Sequence, residues 1–380
     1  MDATPLPFRS TLGEYARQAE QLLAAHRARA PAALDLVRCR HPRFLRADVP
    51  WLAREVSVAD VAAAPFALDD ARLVVARAHD FADWLALVEW VAAVAAGGPV
   101  TRFESAVEAL VTGDLPGLEA QLAADPALVH ARSTRRTCFD PPVHGATLLH
   151  YVGANGVEGH RQRTPPNAVA LTRALLAAGA EADALAGFYG CRCATLSLLV
   201  SSSHPHAAGL AVPLAELLLD HGAALEGQGE SWGTPLLTAL VFGYPATAEA
   251  LARRGARIAL AAAAGLGRLD TATRLLPAAT PAERHLALAL AAQLGHAPLV
   301  RLLLDAGEDP DRFNPPGAHA HATPLHHAAL AGHAAVVELL VERGARLDLA
   351  DRIHASTPLG WARHAGKREV AAFLVARGAP

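Results

Sequence analysis

The stretch TPLHHAALAGHAAVVELLVERGARLD at residues 323–348 decides the fold, because a related stretch, TPLGWARHAGKREVAAFLVARGAP, follows at residues 357–380. A threonine–proline pair opens each copy, and each copy carries two glycines twelve positions apart. A fixed interval that survives extensive substitution indicates an internal repeat. The interval joins Gly243 to Gly255, Gly295 to Gly307, Gly332 to Gly344, and Gly366 to Gly378.

One repeat has the signals of two consecutive helices. Thr323 is a good N-cap, and Pro324 suits the first helical position, where its missing N–H costs nothing. Gly332 predicts a left-handed end to the first helix, and Gly344 predicts the end of the second. The second helix is rich in valine and leucine, and a single helix pair cannot bury that much apolar surface. The sequence therefore predicts an all-α protein in which successive helix pairs stack.

The segment TPLHHA at residues 323–328 resembles the ankyrin-repeat signature T-P-L-H-x-A. A weaker copy, TLLHYVGANG, lies at residues 147–156, and about eight helix pairs extend from residue 102 to the C terminus. The resemblance, which extends to ankyrin-repeat proteins of bacteria, implies a solenoid of stacked helix pairs with short hairpin loops. It also implies that the ring of His326 bridges the cap residue Thr323 and the backbone of the adjacent loop.

Two domains are expected, a helical N-terminal cap at residues 1–100 and the ankyrin-repeat array at residues 101–380. The first hundred residues lack the repeat, although their apolar residues recur at helical spacing. A terminal cap shields the outer face of the first repeat, and a separate partner-binding domain is the alternative for this region. Insertions interrupt the array near residues 157–169 and 201–213. Around residues 258–267 the next helix begins almost at once, so we expect the linking hairpin to be missing there.

Bulk composition restricts the function classes. Apolar residues make up 52% of the chain and aromatic residues 5%, which favours packed helices over sheets. The net charge of -3 gives no electrostatic footprint for nucleic acid. We expect neither a signal peptide nor a membrane span, because the apolar stretches are too short or too interrupted. Four cysteines in a chain of 380 residues fit a reducing compartment, so we expect a cytoplasmic protein, and the arginine-rich, lysine-poor composition suggests a bacterial source.

Several short motifs are candidates for chemistry, and each has a structural alternative. GESWG at residues 229–233 matches the nucleophile-elbow pattern, but no strand precedes it, which favours a loop between repeats. EGHRQR at residues 158–163 gathers arginines that could bind phosphate, although a solvated face is the more common role. Two cysteines with two histidines, or one further histidine pair, are candidate metal ligands, and a purely structural role in turns is the alternative for them. These ligands are Cys191 and Cys193 with His204 and His206, or His319 and His321.

Histidines are concentrated in GAHAHATPLHHAALAGH at residues 317–333. The repeat itself sets the positions of His326, His327 and His333, so these three are expected to be part of the scaffold. His319 and His321 lie on a loop that is longer than the repeat needs. Any ligand of this stretch is therefore expected at these two histidines.

The sequence shows stacked helix pairs without a recognisable set of acid, base and nucleophile, and so predicts a non-enzymatic protein–protein interaction module without a cofactor. We expect a monomer that binds another protein, and neither nucleic acid nor a membrane. The alternative is a small-molecule- or metal-dependent activity in the insertions of the second and third repeats. Exposed aromatic residues and arginines commonly anchor protein contacts. The candidates for the partner surface are Arg135, Phe139, Phe188, Tyr189, Arg192, Trp232 and Arg352.

Overall fold

The computed structural model describes residues 6–47, 49, 52–229 and 233–380. Its contacts divide the chain into two compact units. Unit 1 comprises Met1–Ala223 with Gln228–Glu230, and unit 2 comprises Ala224–Gly227 with Ser231–Pro380. Helices dominate both units, which confirms the predicted all-α class.

Unit 1 contains a series of helices and one short β-hairpin. Its helices are α1 (Leu12–Arg27), α2 (Pro31–Arg40), α3 (Val58–Ala63), α4 (Leu68–Ala78), α5 (Trp84–Ala95), α6 (Pro99–Thr112), α7 (Leu115–Ala124), α8 (Leu148–Val152), α9 (Ala168–Ala177), α10 (Thr195–Leu199), α11 (Ser203–Ala207) and α12 (Ala211–Asp220). The hairpin pairs β1 (Ala186–Phe188) with β2 (Cys191–Cys193) in antiparallel register.

The first five helices share one hydrophobic core, which includes Tyr15, Leu22, Val74 and Leu87. These side chains recur at helical spacing on α1, α4 and α5, so each helix buries one face against the others. The placement of residues 1–100 as a cap stays a prediction.

No single helix in the described ranges is long and apolar enough to cross a membrane. The bent pair α5 and α6, which meet at 93°, satisfies the length and composition criteria only when taken together.

Unit 2 is built from consecutive helix pairs. Its helices are α13 (Pro235–Val241), α14 (Pro245–Arg253), α15 (Leu260–Gly265), α16 (Leu269–Leu275), α17 (Pro281–Gln293), α18 (Ala297–Asp305), α19 (Pro324–Ala331), α20 (Ala334–Glu342), α21 (Pro358–His364) and α22 (Arg368–Ala376). The first helices of neighbouring pairs pack on one another from α13 to α21, and the second helices pack likewise from α16 to α22. Each pair thus buries its apolar faces against its neighbours, as in a solenoid.

The linking hairpin is missing where the sequence predicts its loss. Residues 254–259 alone separate α14 from α15, and no strand is assigned to this segment. Every residue of α15 is buried, including the four consecutive alanines 261–264. At Gly265 an added Cβ would lie 2.8 Å from Leu240, so the small side chains of α15 permit a close approach of α13.

A ladder of side chains connects the turns of successive helix pairs in unit 2. His296 packs over Gly267, and its Nε2 donates to the carbonyl of Gly265 at 3.0 Å. His333 repeats the arrangement over Gly295, where its Nε2 donates to the carbonyl of Gln293 at 3.0 Å. The repeat therefore sets the position of His333, as the sequence predicts.

The ladder makes Gly295 sensitive to substitution. This residue has φ +84°, and an added Cβ would lie 2.7 Å from Nδ1 of His333. We expect Gly295→Ala to lower the free energy of unfolding by about 1 kcal/mol for the left-handed backbone and by a further 1–3 kcal/mol, roughly, for the displaced ring. Urea denaturation measures the sum of these two losses in the free energy of unfolding.

Gly307→Ala is the matched control for this prediction. Gly307 has φ +89° and no atom within 4 Å of an added Cβ, so it reports the backbone contribution alone. Equal losses of stability in Gly295→Ala and Gly307→Ala would show that the ring of His333 moves aside at no cost in free energy.

Candidate partner-binding surface

Histidines of the T-x-L-H motif hold loops that carry candidate partner-binding residues. In unit 2 the backbone N–H of Thr323 donates to Nδ1 of His326 at 3.2 Å, and Nε2 of the same ring donates to the carbonyl of Ser356 at 3.1 Å. In unit 1 Thr147 and His150 repeat the first contact at 3.1 Å, and Nε2 of His150 donates to the carbonyl of Cys193 at 3.3 Å. The predicted bridging role of His326 is thus confirmed, and His150 has the same role in the weaker copy.

One such loop, residues 138–145, lies against the β1–β2 hairpin in unit 1. The amide of Gly187 donates to the carbonyl of His144 at 2.8 Å. One guanidinium nitrogen, Nη1 of Arg132, lies 2.8 Å from the carbonyls of both Gly145 and Leu185. The loop and the hairpin therefore form one hydrogen-bonded surface, which we call the finger surface.

The finger surface exposes apolar and aromatic side chains. Phe139 is 38% exposed, Val143 46% and Tyr189 52%, and Arg192 is exposed on β2. The hydroxyl of Tyr189 donates to Oδ1 of Asn155 at 2.7 Å, which fixes the exposed ring. Val143 was missed by sequence reasoning, although an apolar residue after the proline pair at residues 141–142 is a usable signal for an exposed loop.

Two residues predicted for the partner surface are buried, so their prediction as exposed anchors is wrong. Arg135 is buried because its guanidinium lies 3.9 Å from the ring centroid of Phe81, and its Nη2 donates to the carbonyl of His79 at 2.6 Å. Phe188 is buried because β1 turns this ring inward, where it stacks on His144 with centroids 5.4 Å apart.

The remaining two predicted surface residues, Trp232 and Arg352, come later in the sequence. Arg352 is exposed, and its guanidinium lies 4.0 Å from the ring centroid of Phe313. Trp232 lies outside the described residues, as does Ser231 of the GESWG motif.

The insertion at residues 157–169 carries a buried ionic network that sequence reasoning missed. Glu158 and Arg161 are buried, so the expectation of a solvated or phosphate-binding face is wrong for these two residues, whereas Arg163 of the same segment is exposed. Nη2 of Arg161 lies 2.5 Å from Oε2 of Glu104, and Nε of Arg135 lies 3.7 Å from Oε1 of Glu158. Glu104 also accepts a hydrogen bond from the indole N–H of Trp90 at 3.1 Å. The network thereby joins the insertion to α5 and α6.

Charge pairing keeps Glu158 and Arg161 ionised despite their burial. Burial alone would raise the pKa of Glu158, but the hydrogen bond with His144 and the charges of Arg135 and Arg161 hold that pKa well below 4.5. Burial lowers the pKa of Arg161, and the carboxylates of Glu104 and Glu158 more than reverse this effect. The four charges cancel, so both acids and both arginines contribute to structure rather than to a solvent-exposed anion site.

The cysteine and histidine candidates of unit 1 lie at different elements. Cys191 and Cys193 are on β2, whereas His204 and His206 lie on α11, after the intervening helix α10. Burial, and then the neighbouring Cys191, raise the pKa of Cys193 to about 11. No group of three metal-binding side chains suited to an ion occurs in the part of the chain that the structure describes.

Comparison with known proteins agrees with the geometry of the repeats. The family model described as "Ankyrin repeats (3 copies)" matches residues 313–380. Residues 313–380 therefore resemble ankyrin repeats in sequence as well as in the pairing of their helices. With the stacking of unit 2, this match supports the predicted all-α ankyrin-repeat solenoid. The paired helices before residue 313 continue the same architecture outside the matched range.

Two curated relatives show the extent of the ankyrin similarity. The chain is 35% identical over 111 residues to "Ankyrin repeat and SAM domain-containing protein 6" of Mus musculus, and 33% identical over 111 residues to the protein of that name from Rattus norvegicus. Each alignment covers 29% of this chain and 12% of the relative. Because both relatives are mammalian, these comparisons do not support the bacterial source that the composition suggested.

Proposed function

We propose that this ankyrin-repeat chain is a non-enzymatic interaction module that binds another protein through the finger surface. Ankyrin repeats indicate a protein–protein interaction module. The observation that supports this location is the exposure of Phe139, Val143 and Tyr189 on a loop and a hairpin that hydrogen bonds hold together. Exposed aromatic residues on a rigid support lose little conformational entropy on binding, which makes them effective anchors.

Arg192 adds a charged group at the edge of this apolar surface. A guanidinium at the rim of an interface favours an acidic side chain on the partner, and mainly affects the association rate and its dependence on salt. We therefore expect a partner segment that presents apolar side chains beside an acidic residue.

Affinity capture followed by a direct binding measurement tests the finger surface. We expect the double variant Phe139→Ser, Val143→Ser to bind the captured partner at least about tenfold more weakly than the unmodified chain, because each residue buries apolar area in the complex. Leu85→Ser and Val375→Ser are the matched controls, since both residues are exposed and apolar but lie on α5 and α22. Equal affinities of the double variant and the controls would contradict this location.

Three further properties belong to the same proposal. We propose a cytoplasmic, monomeric protein with neither a nucleic-acid nor a membrane partner. All four cysteines are free, which supports a reducing compartment.

The alternative of a metal-dependent activity in the insertions predicts about one equivalent of zinc in the purified chain, lost in Cys191→Ala, and elemental analysis distinguishes the two hypotheses.

A further inference from the structure

Residues 314–322, which we call the histidine loop, form a packed segment in front of α19. The amide of Asn314 donates to the carbonyl of Ala322 at 2.8 Å, and the amide of Ala318 donates to the carbonyl of Pro315 at 3.0 Å. Ala318 and Ala322 are buried. The loop therefore has a defined conformation held by its own backbone and by two small anchors.

His319 connects the histidine loop to the C-terminal end of α13, a helix several repeats earlier in the chain. Its Nε2 donates to the carbonyl of Val241 at 3.0 Å, and its ring contacts that of Phe242 with centroids 6.2 Å apart. The same carbonyl accepts a hydrogen bond from Nε2 of Gln293 at 2.7 Å. The histidine loop thus covers the C-terminal end of α13 next to the end of α17.

A continuous group of imidazole rings lies beneath and beside the loop. Ring centroids are 4.9 Å apart for His319 and His327, 6.0 Å for His319 and His321, and 6.4 Å for His321 and His354. His327 is buried, and its Nε2 has no hydrogen-bond partner among the described residues. The ring centroids of Trp361 and His327 lie 5.3 Å apart, so the indole of Trp361 also packs against this imidazole.

The surroundings offer little compensation for added positive charge. Asp351 is the carboxylate that faces the cluster, and its oxygens already accept hydrogen bonds from the backbone amides of Ile353 and His354 and from the indole of Trp361. His326 is engaged by Thr323 and Ser356, and the guanidinium of Arg352 lies over Phe313. The groups that contact His319 from α13 and its following turn, Val241 and Phe242, are neutral, as is Gln293 on α17.

We propose that the histidine loop is a pH-sensitive cover, which opens as the imidazoles of His321 and His327 take up protons and uncovers the ends of α13 and α17. Neutral rings pack closely in the closed loop, but two or more imidazolium ions at these separations repel one another. Opening exposes the rings to water, where each can carry its charge. The inference is independent of partner binding at the finger surface.

The direction of the pKa changes supports this coupling. Burial, with the neighbouring His319, His321 and His326, lowers the pKa of His327 to about 3, and burial with the neighbouring His319 also lowers the pKa of His321. In the open loop both return towards the ordinary value of about 6.5. Protons therefore favour the open loop below this pH, by about tenfold at pH 5.5 for His327 alone.

Hydrogen–deuterium exchange at pH 7.5 and 5.5, corrected for the intrinsic exchange rate, tests the proposal on the full chain. The probes are the hydrogen-bonded amides of Ala318, Ala322 and Arg352, the last of which donates to the carbonyl of His321 at 2.9 Å. We expect their protection to fall at least about tenfold at the lower pH. Amides of α20 serve as the internal reference, since they report unfolding of the repeat rather than opening of the loop.

One variant and two controls make the result specific. His327→Gln removes the buried ring that takes up a proton on opening, and we expect it to reduce the ratio between the two pH values to about threefold or less. His319→Gln keeps an amide N–H for the carbonyl of Val241 and leaves His327 in place, so it should retain a ratio of about tenfold. His364→Gln, at an exposed position on α21, should retain the full ratio. The proposal is overturned if the loop amides exchange no faster than those of α20 at pH 5.5, if the loop shows no pH dependence, or if His327→Gln keeps the wild-type ratio.

Discussion

Arg161→Met is expected to lower the free energy of unfolding of unit 1 by about 3–5 kcal/mol, because it leaves two buried carboxylates without their shared cation. Arg161 is only 2% exposed and lies between Glu104 and Glu158. Methionine keeps most of the aliphatic volume, so the loss measures charge compensation rather than a cavity. Hydrogen–deuterium exchange of the α5 and α6 peptides at increasing urea concentration gives the stability of this unit directly.

Arg163→Met is the matched control, since Arg163 is an exposed arginine of the same insertion. We expect its effect to stay within about 0.5 kcal/mol. The double variant Arg161→Met, Glu104→Gln should recover part of the loss, because it also removes one uncompensated carboxylate. If Arg161→Met destabilises unit 1 no more than Arg163→Met, the network does not hold the insertion in place.

The backbone framework of the repeats was predictable because it depends on local signals. Gly332 ends α19 with φ +84°, as the pattern of one glycine between two helices requires. His326 bridges Thr323 and Ser356 because the motif places a ring one helical turn after the cap. Such contacts involve residues close in sequence or one repeat apart, so periodicity alone determines them.

Side-chain burial in the irregular loops was not predictable from the same signals. Arg135 and Arg136 are adjacent, yet Arg135 is buried against Phe81 while Arg136 is exposed. The difference arises because Arg135 meets helices that precede it by some fifty residues, as in its hydrogen bond to His79. Irregular loops have no period from which a buried face can be deduced, and tertiary contacts then decide.

The finger surface shows the same division between local and tertiary information. An exposed aromatic pair was expected at Phe188 and Tyr189, but the hairpin turns one ring inward and the other outward. Phe188 is the last residue of β1, whereas Tyr189 lies in the following turn with φ +53°, so the two side chains leave the backbone in different directions. Sequence alone did not reveal the strand, because β1 is only three residues long.

Acidification from pH 7 to pH 5 is expected to destabilise both units strongly. Burial, the first cause in each case, lowers the pKa of His79 and His150 to about 4 and that of His327 to about 3. The unfolded chain binds protons with a pKa of about 6.5, so it binds more protons than the folded chain between the two values. The stabilising contribution is complete above about pH 6.5 and is lost as the pH falls towards 4.

The expected loss is about 2 kcal/mol at pH 5 for each of these three histidines, hence about 4 kcal/mol in unit 1 and about 2 kcal/mol in unit 2. Total stabilities of ordinary domains are about 5–15 kcal/mol, so the loss is large enough to unfold a marginal unit. The pKa is also lowered by burial at His41, His285, His321, His326 and His333.

At His150 the bridging geometry of the repeat motif adds to the effect of burial. At His150 the unprotonated Nδ1 accepts from the backbone N–H of Thr147, while Nε2 donates to the carbonyl of Cys193. A proton on Nδ1 abolishes the acceptor and places a charge in a buried site. Each repeat that uses this motif therefore depends on a neutral imidazole, and stability at neutral pH is linked to sensitivity in acid.

Urea denaturation at pH 7 and pH 5.5 measures the effect, with His150→Gln as the diagnostic variant. His150→Gln loses stability at pH 7, but the difference between the two pH values should shrink by slightly over 1 kcal/mol, because one proton-linked site is gone. His364→Gln, at an exposed position, should leave that difference unchanged. A difference in His150→Gln equal to that of the unmodified chain would mean that acid acts elsewhere than on the bridging ring.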